Sequence, residues 1–197
     1  MARVWLSAAA YYADLEPVYF QVPPGEGLAE SFEAALGTTG PDALMLVAEL
    51  DGQVAAWLTA RIEDPAPGAA RQMVREPGLT RLIVDALMVD QAAWREGTGT
   101  ALLTAAEAWG RGRGAGVVRL DTYAGSPVPV PFYEQRMGYE RRSIVFQKPL
   151  RLLERPEHVL HDAPMPVVVG LTRGVDPDDS AEFLTPGRHR YLVRYFS

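Results

Sequence analysis

The chain has no cysteine, no asparagine and a single lysine, Lys148, among its 19 basic residues. Without thiols there is no disulfide framework, no thiolate metal site and no cysteine nucleophile. The missing asparagine and the preference for arginine read as the compositional bias of a GC-rich genome rather than as function. No apolar run is long enough to cross a bilayer. Positive charge is also short. The formal net charge of −6 argues against a nucleic-acid surface and favours a cationic partner. What is present suffices for a core: 48% of the 197 residues are apolar, as expected of one domain or one domain with an appendage.

Read in order, the chain begins with Arg3 and an apolar stretch, Val4–Ala10, that looks faintly like an export signal. The stretch is short, interrupted by Ser7 and followed at once by Asp14 and Glu16. The reading is therefore a cytoplasmic chain whose Arg3–Leu6 forms a short strand, running into a helix that ends before Pro17. Helical spacing of Leu28, Phe32, Ala35 and Leu36 predicts a second helix over 27–37. Asp51-Gly52 between two apolar runs predicts a hairpin of Ala43–Leu50 with Gln53–Ile62. Residues 63–78, rich in Pro, Gly and Ala, read as a loop with a helical turn.

The organising stretch comes next. Leu82, Ile83, Val84, Leu87, Met88 and Val89 form a near-continuous apolar run, the pattern of a strand covered on both faces. A loop with Gly97 and Gly99 leads into a helix over Ala101–Trp109. Glycines let loop amides approach a ligand, and the helix points its unpaired N–H groups at the same place, which suits an anion. The loop lacks the Lys and Ser/Thr of a P-loop, and Leu102 stands where the dinucleotide fingerprint needs its third glycine. Gly110, Gly112, Gly114 and Gly116 are expected to end the helix, followed by a strand over Val117–Tyr123. Pro131 opens a short helix carrying Phe132, Tyr133 and Arg136, closed at Gly138. Tyr139–Lys148 reads as a further strand. In the remainder, Val167–Val169 and Tyr191–Phe196 read as strands and Asp176–Ser180 as a turn. His158 and His161 have the sparse setting of exposed residues, and no metal site is expected.

Leu87-Met-Val89, Arg95-Glu-Gly-Thr-Gly99, Leu102-Leu103 with Glu107, Asp121-Thr122, Phe132-Tyr-Glu134 and Met137-Gly-Tyr139 occur in that order. Together they resemble the GNAT superfamily of acetyl-CoA-dependent N-acetyltransferases, from about Ala43 to Leu150. The resemblance implies an α/β (α+β) fold: a mixed, mostly antiparallel sheet flanked by helices. Residues 1–150 would form that domain. Residues 151–197 would be a β-rich extension, packing on the domain or on a second subunit as in a homodimer. It implies direct transfer of an acetyl group from acetyl-CoA to a primary amine, carried by a small molecule or a peptide. No nucleic acid, membrane or metal is implied.

The family's diphosphate site maps to Arg95, Glu96, Gly97, Thr98, Gly99 and Thr100. Trp94 stands where the family usually has Gln or Arg. Leu87, Met88 and Val89 map to the strand end that bonds the pantetheine arm. Ser126 and Phe132 map to further cofactor contacts. Tyr133 maps to the acid that protonates the departing thiolate, and Asp85 is the candidate base. Tyr11, Tyr12, Tyr19 and Phe20 are candidate acceptor contacts. Trp94 and the proline-rich segment 126–131 also fit an alternative, a GNAT-like module that binds acyl-CoA without turnover. A nucleotide phosphate site is a third reading.

Overall fold

The computed structural model describes residues 1–37, 40–148, 181–184 and 190–196, the last two segments by their backbone alone. In chain order the elements are α1 (Ala2–Leu15), α2 (Leu28–Gly37), β1 (Ala43–Leu50), β2 (Gln53–Glu63), β3 (Arg81–Val89), α3 (Thr98–Gly112), β4 (Val117–Arg119), α4 (Pro129–Pro131), β5 (Ala181–Leu184) and β6 (Arg190–Phe196). They build one sheet in the order β4-β3-β2-β1-β6-β5. Every pairing is antiparallel except that of β3 with β4. The mixed, mostly antiparallel sheet with flanking helices agrees with the expected fold.

The β1–β2 hairpin turns at Asp51 (φ 52°) and Gly52 (φ 76°). Both residues are left-handed, the geometry that matches the twist of two-residue hairpins. The hairpin's side chains alternate between two cores. Leu44, Leu46, Ala56, Leu58 and Ala60 meet Leu102, Leu103, Ala106 and Trp109 of α3 on one face. Met45, Val47 and Trp57 meet Val4 of α1 on the other, where Trp5 and Phe32 pack in.

β3 lies between these two cores, and its register decides which side chains reach each of them. Val84 pairs with Ala60 and Ala86 with Thr59, which leaves Asp85 without a partner on β2. This is a β-bulge, and one extra residue reverses which face each later side chain takes. Leu82 and Val84 face α3 before the bulge; after it Leu87 and Val89 do, while Ala86 and Met88 turn to the α1 side. β4 runs beside β3 only from Arg81 to Ile83. Beyond Ile83 the two segments separate, and among the described residues no strand pairs with the last six residues of β3 on the side away from β2.

Several expectations are corrected. Arg3–Leu6 is helical, because Val4 and Ala8, one turn apart, are both buried on the same face of α1. The strand expected over Val117–Tyr123 stops at Arg119, since the chain then leaves the sheet to meet α1. Gly110 and Gly112 lie inside α3, and the left-handed Gly114 (φ 80°) follows its end. Gly110 is where the helix touches β3: a Cβ there would lie 2.9 Å from Leu82 Cδ2. Tyr139–Lys148 makes no strand. No described neighbour pairs with it, and residues 140–148 are exposed. Arg141 pairs with Glu134 and Arg142 with Glu140 there. The expectations for Val167–Val169, Asp176–Ser180, His158 and His161 fall outside the described residues.

Candidate active site

The gap beside β3 is where the candidate residues meet. The Asp90 N–H reaches back to Ala55 O on β2 at 2.9 Å. Strand alternation then turns the main-chain groups of Leu87 and Val89 the other way, into the gap. One of these groups is taken: the Trp94 indole N–H donates to Val89 O at 3.1 Å. Met88 instead points its side chain into the core under α1.

After β3 a short 3₁₀ turn, Gln91–Ala93, leads to the glycine loop. Arg95 (φ 66°) and Gly97 (φ 87°) are left-handed, and Gly97 is the N-cap of α3 with no side-chain cap. The amides of Thr98, Gly99 and Thr100 therefore open the helix without partners on its own axis, the arrangement that attracts an anion. Thr98 is buried, and its hydroxyl has no partner among the described residues. Arg95 and Glu96 are exposed at the rim. Gly99 sits in a corner: an added Cβ would lie 3.4 Å from Phe132 Cζ, 3.6 Å from Val89 Cγ2 and 3.9 Å from Leu87 Cδ2. Phe132 and Leu87 thus wall the loop. An uncapped helix start, a corner open only because Gly99 lacks a Cβ and an orphaned buried hydroxyl fit a phosphate-bearing ligand.

Across the gap, α4 runs into a π-helical turn, Phe132–Arg136, that ends at Gly138 (φ 75°). The wide turn carries Tyr133, whose ring packs on Phe132 at 5.2 Å and Tyr139 at 5.9 Å. Burial pushes the Tyr133 phenol well above its ordinary value near 10, and Tyr12 and Asp121 add to the rise. The phenol stays protonated and can donate.

Asp85, although set in an apolar run, is not enclosed. The bulge turns it out of the core, and its side chain keeps 23% of its accessible surface, much of the residue's remaining exposure lying on the main chain. Arg61 donates to it at 2.8 Å. Desolvation still raises its pKa; Arg61 opposes this, and Asp121 and Glu63 add to it. Asp121, two residues past the end of β4, is therefore close enough for its charge to act on Asp85.

The residues expected to contact the acceptor lie on α1 and the turn after it. Tyr11 meets Trp94 at 4.8 Å and Tyr12 at 5.1 Å, and its hydroxyl lies 3.3 Å from that of the buried Ser126. Ser126 is therefore engaged by α1. Tyr12 packs on Phe20, Phe20 on Tyr123, and Tyr19 stacks on Tyr123. Asp90, which drew no attention in the sequence, fixes α1 here. Its buried carboxylate pairs with Arg3, accepts from Ser7 Oγ at 3.2 Å and caps the 3₁₀ turn through Ala92 N at 3.1 Å. Gln91 Nε2 adds a bond to Ser7 O at 2.9 Å. Asp121 and Tyr123 were not among the expected site residues. Asp121 was signalled only as part of the Asp121-Thr122 motif, and both were expected inside a strand that stops at Arg119.

A profile of the Acetyltransferase (GNAT) family matches residues 8–139. The chain belongs to that family. No curated protein matches the sequence. Among solved structures, a substituted BH1408 protein from Bacillus halodurans is 18% identical with a TM-score of 0.63, covering 76% of this chain and 91% of that one. A transcriptional regulator from Bacillus halodurans C-125 is 18% identical with a TM-score of 0.53, covering 73% and 91%. An aminoglycoside N-acetyltransferase, AAC(6')-Iy, in complex with CoA is 17% identical with a TM-score of 0.47, covering 73% and 88%. At 18% identity the first two likenesses speak for the fold alone. Among the described residues, no group of His, Asp and Glu is placed to hold a metal, and no helix is long and apolar enough to cross a membrane.

Proposed function

We propose that this member of the GNAT family transfers an acetyl group from acetyl-CoA to a primary amine by direct attack. The observation that carries the reading is the meeting of three things at one gap. These are the uncapped start of α3, the free main-chain edge of β3 and the protonated Tyr133. Acetyl-CoA would supply the activated acyl carbon and the leaving thiol. The amides of Thr98, Gly99 and Thr100 would hold its diphosphate, with Arg95 at the rim. Leu87 and Val89 would offer main-chain bonds to the arm, and Phe132 a wall beside Gly99. The Val89 N–H, turned into the gap, would serve as a donor to the oxyanion.

Transfer forms an N–C bond and breaks a C–S bond. An amine that arrives protonated first gives one proton to water; after the neutral nitrogen attacks, its second proton goes to Asp85, directly or through water, and Tyr133 gives its own proton to the departing sulfur. The raised pKa of Tyr133 keeps its proton in place at neutral pH at some cost in acid strength, and the raised pKa of Asp85 makes it a better base than an ordinary aspartate. Arg61 opposes that rise and favours the ionised form that can accept a proton. Thiol release from acetyl-CoA over a panel of amines tests the reading. Release with at least one amine is expected, falling about 100-fold in Tyr133→Phe while CoA affinity is kept.

One observation favours a second reading. The Trp94 indole already occupies Val89 O, a group that a pantetheine arm would otherwise use. A module that binds acyl-CoA without turnover would be protected thermally by CoA and release no thiol with any amine. Protection by ATP and not by CoA would point to a nucleotide phosphate site instead.

A further inference from the structure

The rings around the gap belong to neither core of the sheet. Tyr11, Tyr12, Tyr19, Phe20, Trp94 and Tyr123 are absent from both buried clusters, yet they pack on one another at centroid distances of 4.7–5.9 Å. All are half-buried except Tyr19, which is exposed. An aromatic patch that builds no core and opens on a cleft marks a place for a ligand. The patch reaches the chemistry through Tyr12, close enough to Tyr133 to influence its phenol.

Two carboxylates flank this patch, Glu16 and Asp121. Glu16 accepts from the Tyr123 hydroxyl at 3.5 Å. Asp121 is exposed at the mouth of the gap, near both Tyr133 and Asp85. The described cation beside them, Arg61, is committed to Asp85. Flat aromatic faces ringed by carboxylates attract a cation that carries apolar surface. The ring faces and carboxylates draw the charge, and burial of the body adds apolar contact. A compact or heavily hydroxylated amine would gain the charge alone.

We infer that the acceptor is a cationic amine with a flat apolar body, its ring held against Tyr12, Phe20 and Tyr123 and its ammonium group facing Asp121. The assignment rests on the acyl-transfer reading for its chemistry but can be tested by binding. The rings set the affinity for the body of the substrate, and Asp121 sets the preference for charge. Asp85 and Tyr133 lie beyond, where the nitrogen reacts.

Calorimetric titration of the CoA-saturated protein compares 2-phenylethylamine with n-butylamine, which lacks the ring, and with 2-phenylethanol, which lacks the charge. The expected result is at least tenfold tighter binding of 2-phenylethylamine than of either. Tyr123→Leu and Phe20→Leu should erase the advantage over n-butylamine. Asp121→Asn should erase the advantage over 2-phenylethanol while the ring preference stays. Equal affinity for the ring-bearing and ringless amines, or a ring preference that survives both leucine variants, overturns the inference. The same titrations without CoA, together with thiol release, keep the two proposals apart. Thiol release with ringless amines alone sinks the inference and leaves acyl transfer standing. Ring-selective amine binding in a protein that takes up no CoA upholds the inference and sinks acyl transfer.

Discussion

Two titrating side chains set the expected pH behaviour. Asp85 must be ionised to accept a proton, and its pKa lies above the ordinary carboxylate value. kcat/KM should therefore rise with pH through that raised pKa. Tyr133 must be protonated, and its pKa is displaced upward from about 10. No alkaline fall is expected below about pH 10. Asp85→Asn should lower kcat by about 100-fold and remove the acid-side limb; an unchanged profile would exclude Asp85 as the base. The same shift bears on stability. A folded-state pKa above the unfolded one stabilises below the unfolded value, and the contribution is lost as pH rises through the folded value. At neutral pH Asp85→Asn should then melt no lower than wild type, since the exposed bond to Arg61 contributes about 1 kcal/mol or less. A clear fall in Tm at pH 7 would contradict this.

The same scale holds the glycine that matters most. Gly99→Ala places a methyl at ordinary contact distance from Phe132 and Val89, so the fold should tolerate it. Tm should stay near that of wild type while CoA affinity falls at least tenfold. Equal CoA affinity would mean that the corner is not part of the site. Gly99 and Tyr133 were legible because spaced motifs name them. The true setting of Asp85 was not. Its bulge depends on which β2 residues pair with β3, and an apolar run carries no sign of that pairing.

At the scale of elements, α3, the β1–β2 hairpin and α2 followed from local pattern. Their periodicities and turn residues agree with their burial. The first residues misled, because Val4-Trp-Leu6 fits either a strand or a buried helical stripe. The deciding fact is nonlocal, a bond network from Arg3 and Ser7 to Asp90. Asp90→Ala removes a buried cap, an ion pair and a hydroxyl bond together. It should cost about 2–4 kcal/mol of stability and raise the acceptor KM more than the KM for acetyl-CoA, because it frees α1. A variant as stable as wild type, with unchanged acceptor KM, would separate α1 from the site. Gly110→Ala tests the contact of α3 with β3. Alanine favours the helix by about 1 kcal/mol, but its Cβ meets Leu82 at 2.9 Å, and overpacking costs about 1–3 kcal/mol. A net loss in chemical denaturation is expected; a gain would show that Leu82 yields freely.

For the whole molecule, the sheet places two unlike surfaces on either side of one gap. Helix amides and the Gly99 corner lie on the α3 side, and aromatic rings and carboxylates on the α1 side. The first surface was readable because glycine spacing and helix starts are local. The second was only partly readable. It gathers Tyr11, Tyr12, Tyr19 and Phe20 from one end of the chain with Asp121 and Tyr123 from far along it, and no short-range pattern joins them. The claim that carries the rest is that the open start of α3 holds the diphosphate of CoA. Calorimetric titration of the wild-type chain and of Gly99→Ala with CoA tests it most directly. The account predicts saturable one-to-one binding to the wild type, weakened at least tenfold by the added methyl; no heat of binding to the wild type, or equal affinity in both, would contradict it.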